Sequence, residues 1–78
     1  MRLDLRLYAS LADRSNRRDP SEWIDLPAGA TVGDLLSSLG IEEGAVHLVI
    51  INGRIVRDLR SPIRDGARIA LFPPVGGG

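Results

Sequence analysis

Seventy-eight residues make one domain at most, and a chain this short buries only about 60% of the surface its unfolded form exposes, so the core is small. With 44% apolar residues the chain still reads as globular, and ten arginines against ten acidic residues leave no net field to draw it to nucleic acid or an anionic bilayer. Absence of cysteine excludes disulfides, thiolate metal sites and a cysteine nucleophile, the lone His47 cannot form a metal cluster, and no apolar run nears the ~18 residues of a membrane span.

The start, Met1-Arg2-Leu3-Asp4, places a charge at every second position where a signal peptide needs an apolar block, so the expected location is cytoplasmic. "RLDLRLY" (Arg2 to Tyr8) alternates strictly: Leu3, Leu5 and Leu7 on one side, Arg2, Asp4, Arg6 and Tyr8 on the other, the pattern of a half-buried strand. "ASLADRSNRRDPS" (Ala9 to Ser21) is polar; Ser10 suits the cap of a short helical turn through Leu11 and Ala12, and Pro20 ends any such course. Arg14, Arg17 and Arg18 are offset by Asp13 and Asp19, which makes this stretch a solvated loop. "EWIDLP" (Glu22 to Pro27) offers a second, shorter strand with Trp23, Ile24 and Leu26, closed by a proline that cannot donate to a ladder.

In "AGATVGDLLSSLG", Thr31 followed three positions later by Asp34 is a near capping box. Val32, Leu35, Leu36 and Leu39 then fall at helical spacing and Gly40 suits the left-handed position after the last turn, so one amphipathic helix of about two turns follows. "VHLVIINGRIV" (Val46 to Val56) is an apolar run, an Asn-Gly pair and a second short run. Asn52-Gly53 accepts the positive φ angles of a type I′ hairpin turn, although the unbroken "LVII" leaves inward and outward residues undecided. His47 reads as an ordinary strand histidine. Asp65-Gly66 marks a turn before "ARIALF" (Ala67 to Phe72), where Ile69 and Leu71 alternate with Arg68, Ala70 and Phe72, and Pro73-Pro74 ends the sheet. The first and last strands carry the two clearest one-sided patterns, so both should lie over the same helix: an α+β domain, a mixed sheet on one main helix over residues 1–73, with residues 74–78 as a flexible glycine tail.

The tail has its own logic. Two prolines hold its base extended, three glycines form a thread without side chains, and the five residues from Pro74 to Gly78 reach at most ~17 Å beyond the sheet. That is enough to enter another protein's cleft. The group at the tip is the α-carboxylate of Gly78, a poor electrophile until a nucleotide triphosphate converts it to an acyl adenylate that sulfide or an amine can attack. The same three glycines also fit an end without a role, since termini are commonly disordered. Apart from the N-terminal amine the chain offers no amine of its own, because lysine is absent.

"DGARIALFPPVGGG" closely resembles the C-terminal signature of the MoaD/ThiS family, in which a "DGD" turn leads to a strand, then "PP", an apolar residue, a variable residue and Gly-Gly. "LPAGATVGDLL" resembles the family's strand end and capped helix, and "IINGRIV" its Asn-Gly hairpin. The resemblance implies a β-grasp, ubiquitin-like fold. It also implies a sulfur carrier: Gly78 is adenylated by a ubiquitin-activating-like adenylyltransferase and becomes a thiocarboxylate, with Gly77 and Gly76 beside it in a narrow channel. ATP is spent by that partner, no cofactor is stably held, and the chain is a non-catalytic carrier on its own. "FPPV" and the long loop between the first two strands resemble the molybdopterin synthase small subunit within the family, which implies that the chain is the small subunit of a sulfurtransferase, molybdopterin synthase, whose large subunit is the second implied partner. Two positions depart: Ala67 stands where "DGD" has its second aspartate, and Gly76 fills the variable position, giving the "GGG" ending of thiamine carriers.

Tyr8 and Phe72 fall in the outward register with Arg6, Arg68 and Ala70, off the leucine face. In the family's fold the first and last strands are adjacent, so the resemblance puts both rings on one exposed surface at the root of the tail, next to Pro73, Pro74 and Val75. Matching positions in the molybdopterin carriers are apolar and contact both partners. The alternatives to the molybdopterin pathway are sulfur delivery to thiamine or a tungsten cofactor, attachment of Gly78 to a target lysine as a ubiquitin-like modifier, and a β-grasp interaction domain with an inert tail.

Overall fold

The computed structural model describes residues 1–11 and 21–74. Residues 12–20 of the polar stretch expected between the first two strands and the tail residues Val75, Gly76, Gly77 and Gly78 lie outside the described residues, so of the short turn read after Ser10 only Leu11 is described; Ser21, read with the polar stretch, belongs instead to the second strand.

β1 (Arg2–Leu7) buries Leu3, Leu5 and Leu7 and turns Arg2 and Arg6 to solvent, as its alternation predicts. β2 (Ser21–Asp25) pairs antiparallel with it, Ile24 opposite Leu3. Ile24 and Leu26 are buried, and Trp23, of the opposite parity, faces out. After α1 (Val32–Leu39) and a short 3-10 turn at Glu43–Ala45, β3 (Leu48–Ile51) and β4 (Arg54–Ile55) form the hairpin, and β5 (Arg68–Phe72) closes the sheet. The sheet order is β2-β1-β5-β3-β4. Its central pair, β1 and β5, is parallel, and the remaining pairings are antiparallel.

The hairpin turn is the one Asn-Gly implies: Asn52 has φ 51° and Gly53 φ 82°. Asn52 also ties the hairpin to β5, its backbone amide donating to the Arg68 carbonyl at 2.8 Å and its Oδ1 accepting from the Arg68 amide at 2.9 Å. Pairing with β5 settles the ambiguity of "LVII". Val49 and Ile51 sit opposite Leu71 and Ile69 on the core side, and Leu48 and Ile50 sit opposite Phe72 and Ala70 on the other. His47 lies just before β3 and is exposed, a correction of one position to its reading as a strand residue, although its amide extends the pairing by donating to the Phe72 carbonyl at 2.8 Å.

α1 covers one face of the sheet with Val32, Leu35, Leu36 and Leu39, which join Leu3, Leu5, Leu7, Ile69 and Leu71 in a single apolar cluster. Its start shows how completely a short helix can be tied down. Thr31 Oγ1 accepts from the Asp34 amide at 3.2 Å and Asp34 Oδ2 accepts from the Thr31 amide at 2.9 Å, the reciprocal capping box. The two donors that remain, on Val32 and Gly33, go to the carbonyls of Ser61 (3.1 Å) and Leu59 (2.8 Å). A Cβ on Gly33 would stand 3.4 Å from the Leu59 carbonyl oxygen, so the loop between β4 and β5 presses close on the first turn. At the other end Gly40, with φ 71°, and Ile41 donate to Ser37 and Leu36 carbonyls at 3.2 and 3.0 Å. No charged or polar side chain is buried among the described residues.

Candidate functional site

The C-terminal strand delivers the chain to one edge of the domain, and its last residues are fixed from both sides. Tyr8, just past β1, donates its amide to the Leu71 carbonyl at 3.1 Å, while His47 donates to the next carbonyl, that of Phe72. The ladder then stops, because Pro73 and Pro74 have no amide hydrogen. Pro73 is half-buried and Pro74 exposed, so the described chain leaves the sheet at a defined point.

At that point the Tyr8 and Phe72 rings stack, with centroids 4.5 Å apart and planes within 8° of parallel. Phe72 is half-buried and Tyr8 keeps 45% of its surface exposed. Both stand on the open face of the sheet, opposite α1, as their register predicts. Tyr8 holds its position because the chain turns immediately afterwards: Ala9 adopts φ 52°, a left-handed conformation uncommon for alanine, and the Leu11 amide donates back to the Tyr8 carbonyl at 3.2 Å as Leu11 drops into the core. That turn carries no glycine or asparagine, and although Ser10 suggests a helical turn after it, nothing in the sequence announces the left-handed Ala9.

The same face holds features that the strand pattern placed outward without saying what they do there. Asp4 sits opposite Arg68 on β5, and its carboxylate lies 3.2 Å from Arg6 Nε and 4.0 Å from Arg68 Nε. Ala70 sits between Arg6 on β1 and Ile50 on β3. Trp23 and Ile55, 58% and 54% exposed, lie outside this centre on β2 and β4. Among the described residues no group of histidine and carboxylate side chains is arranged to hold a metal ion, and no helix is long and apolar enough to cross a membrane.

A five-stranded mixed sheet with a central parallel pair and one capped helix across one face defines the β-grasp class of ubiquitin-like domains, here with the last strand running out through Pro-Pro. The ThiS family model matches residues 5–78, and the chain belongs to that family. No curated protein matches the sequence. Among solved structures, SAMP1 from Haloferax volcanii is 27% identical, with all of both chains covered and a TM-score of 0.73. The HVO 2177 protein of the same organism is 32% identical over 100% of this chain and 87% of its own, with a TM-score of 0.76. A Pyrococcus furiosus protein named for molybdopterin converting factor, subunit 1, is 25% identical over 96% of this chain and 99% of its own, at 0.73.

Proposed function

We propose that this protein is a sulfur carrier, acting as the small subunit of a molybdopterin synthase in molybdenum cofactor biosynthesis, with Gly78 as the residue that carries sulfur. The observation that bears most weight is the junction at Phe72: a strand end hydrogen-bonded on both sides, capped by an aromatic stack, opening into Pro73-Pro74 and the sequence Val75-Gly76-Gly77-Gly78. A rigid body with an exposed face at the root of a side-chain-free thread is what presentation of a terminal carboxyl to a second protein's active site requires. Family membership and the likeness to a subunit of molybdopterin converting factor support the same reading.

In this mechanism the adenylyltransferase supplies the catalysis. The Gly78 carboxylate attacks the α-phosphorus of ATP, pyrophosphate departs, and an acyl adenylate forms. Hydrosulfide attacks the acyl carbon and expels AMP, leaving a thiocarboxylate. Gly77 and Gly76 keep the channel occupant narrow, and Tyr8, Phe72, Pro73, Pro74 and Val75 form the surface that the adenylyltransferase and then the synthase large subunit grip. The reaction is set in the cytoplasm, where the partner has ATP.

A second reading rests on the likeness to SAMP1, a small archaeal modifier protein. The same adenylate, attacked by a lysine amine, gives an amide to a target protein. Absence of lysine from this chain excludes lysine-linked chains of it and leaves single attachment open. Mass spectrometry of the full chain after incubation with its source organism's adenylyltransferase, ATP and a sulfur donor tests the proposal. The expected result is the exchange of one oxygen for one sulfur at Gly78. An unchanged mass, under conditions that modify a known carrier, overturns it, and a conjugate on a target lysine in place of sulfur transfer to a pterin moves the protein to the second reading.

A further inference from the structure

Among the described residues, Ala9 and Asn52 alone combine a side chain with a positive φ, at 52° and 51°. Asn52 is accounted for by the hairpin turn and by its Oδ1, which accepts from the Arg68 amide. Ala9 has neither reason. Its methyl group is crowded in this conformation and it carries no polar atom to bond the nearby backbone, so glycine, asparagine or aspartate would suit the turn better.

What the turn secures lies on both sides of it. After it, the Leu11 amide closes on the Tyr8 carbonyl at 3.2 Å and the Leu11 side chain is wholly buried, a gain that holds Ala9 in its crowded conformation. Before it, Tyr8 has its amide on the Leu71 carbonyl and its own carbonyl on Leu11. With both backbone groups tied, the Cα–Cβ bond of Tyr8 has one direction, and from there the ring lies flat on Phe72.

Phe72 is braced by that ring on its β1 side and by the His47 amide, which donates to its carbonyl, on its β3 side. Beyond Phe72 the course of the chain cannot drift at once. A residue before proline is confined to extended backbone, and proline fixes its own φ. Phe72 and Pro73 each precede a proline, so the orientation held at Phe72 is passed on to Pro74.

We infer that Ala9 is a positioning residue for Gly78: held left-handed by the burial of Leu11, it sets Tyr8 against Phe72 and so fixes the line along which the chain leaves the sheet. The inference rests on the proposed carrier function and adds to it a residue that acts through Tyr8 and Phe72 and not by contact with the reacting atoms. Its effect falls on the chemical step, because a misplaced reactant slows the reaction even when binding is complete.

Full-length protein, its source organism's adenylyltransferase and ATP provide the test. The chain has one tyrosine and one phenylalanine, so the stack is read directly from the upfield shift that each ring imposes on the other's proton resonances. Ala9→Asn and Ala9→Gly accept a positive φ, and are expected to keep those shifts, to melt at or above the wild-type temperature and to be adenylated at the wild-type rate. Ala9→Val resists that φ, and is expected to lose the shifts and about fivefold in rate at saturating carrier, where weaker docking no longer counts. A role confined to stability would lower the melting temperature of Ala9→Val and leave the saturated rate alone.

The inference is overturned if the wild-type rings show no upfield shift, or if Ala9→Val loses the shifts yet keeps its saturated rate within about twofold of wild type. Ala9→Asn that keeps the shifts but loses the rate overturns it too. Should Ala9→Val not fold, Tyr8→Leu removes the ring with Ala9 intact and is held to the same loss and the same limit. Wild-type protein that is adenylated while the valine and leucine variants match it sinks this inference alone, and wild-type protein that is never adenylated removes the carrier function with it.

Discussion

On the helix-covered face of the sheet, β1 and β5 contribute Leu3, Leu5, Leu7, Ile69 and Leu71, all buried; on the open face the same two strands contribute Asp4, Arg6, Arg68, Ala70 and Phe72, with Tyr8 just beyond. The covered face is uniform because it answers to one requirement, removal of apolar area from water beneath α1. The open face mixes an aromatic stack, a charge cluster and a small residue, and none of these is needed to close the core. The strand period of two therefore divides the two faces residue by residue: alternate positions hold the domain together, and those between them are left free of that task.

The largest expected effect breaks that division if it fails. Leu5 is buried at the centre of the sheet, in the core cluster with α1, so Leu5→Ala should lower unfolding free energy by about 2–5 kcal/mol in chemical denaturation. Tyr8→Ala should behave in the opposite way. Its ring is 45% exposed and its stack on Phe72 contributes about 0.5–1.5 kcal/mol to folding, so the protein stays folded. Affinity for the proposed adenylyltransferase partner, measured by calorimetry, should fall by about 2 kcal/mol or more, as for an aromatic anchor. If Tyr8→Ala unfolds the domain, or leaves affinity unchanged while Leu5→Ala is tolerated, the two faces do not have separate roles.

A smaller effect sharpens the comparison on the covered side. Thr31→Ala removes the hydroxyl that accepts from the Asp34 amide and should destabilise the domain by about 1 kcal/mol, with Thr31→Ser restoring most of the loss. The loss is not larger because the neighbouring donors on Val32 and Gly33 keep their acceptors in the loop from Leu59 to Ser61. Partner affinity should be unchanged, since Thr31 is on the far side of the sheet from Tyr8 and Phe72.

Most of the covered face is legible in the amino-acid sequence, because strict alternation in β1 and β5, the Thr31–Asp34 box with Gly40, and Asn52-Gly53 are each a local signal with a local cause. What sequence reasoning missed depends on neighbours distant in the chain. Ile63 is buried and the carbonyls of Leu59 and Ser61 close the helix start, yet the stretch between β4 and β5 has no periodicity to announce either fact. The sidedness of Leu48 and Ile50 waits on the register with β5, since an unbroken apolar run has no period of its own. The candidate site divides in the same way. Tyr8 and Phe72 could be placed on one face by parity, and their adjacency followed from the family resemblance; the stacking itself, the left-handed Ala9 that positions Tyr8, and the sharing of Asp4 by two arginines required coordinates. A charge in the outward register reads as a solvated one until a partner appears on the next strand.

The smallest predicted effect separates the two carboxylates that pair with arginine on the open face. Asp25 meets Arg2 Nε at 3.2 Å, but both side chains are about two-thirds exposed, at 68% and 66%, so water and salt compete for each and little is gained by holding two flexible chains together. Asp25→Asn should shift stability by no more than about 0.5 kcal/mol and lose even that in high salt. Asp4 lies at the same short distance from its arginine yet is covered by its neighbours, so Asp4→Asn should have the larger and less salt-sensitive effect on stability. The comparison is internal to one face and uses one chemistry, which makes it a direct measure of coverage. Equal effects from the two substitutions would mean that the centre of the open face is as wet as its rim, and that Asp4 does not hold Arg6 and Arg68 in place.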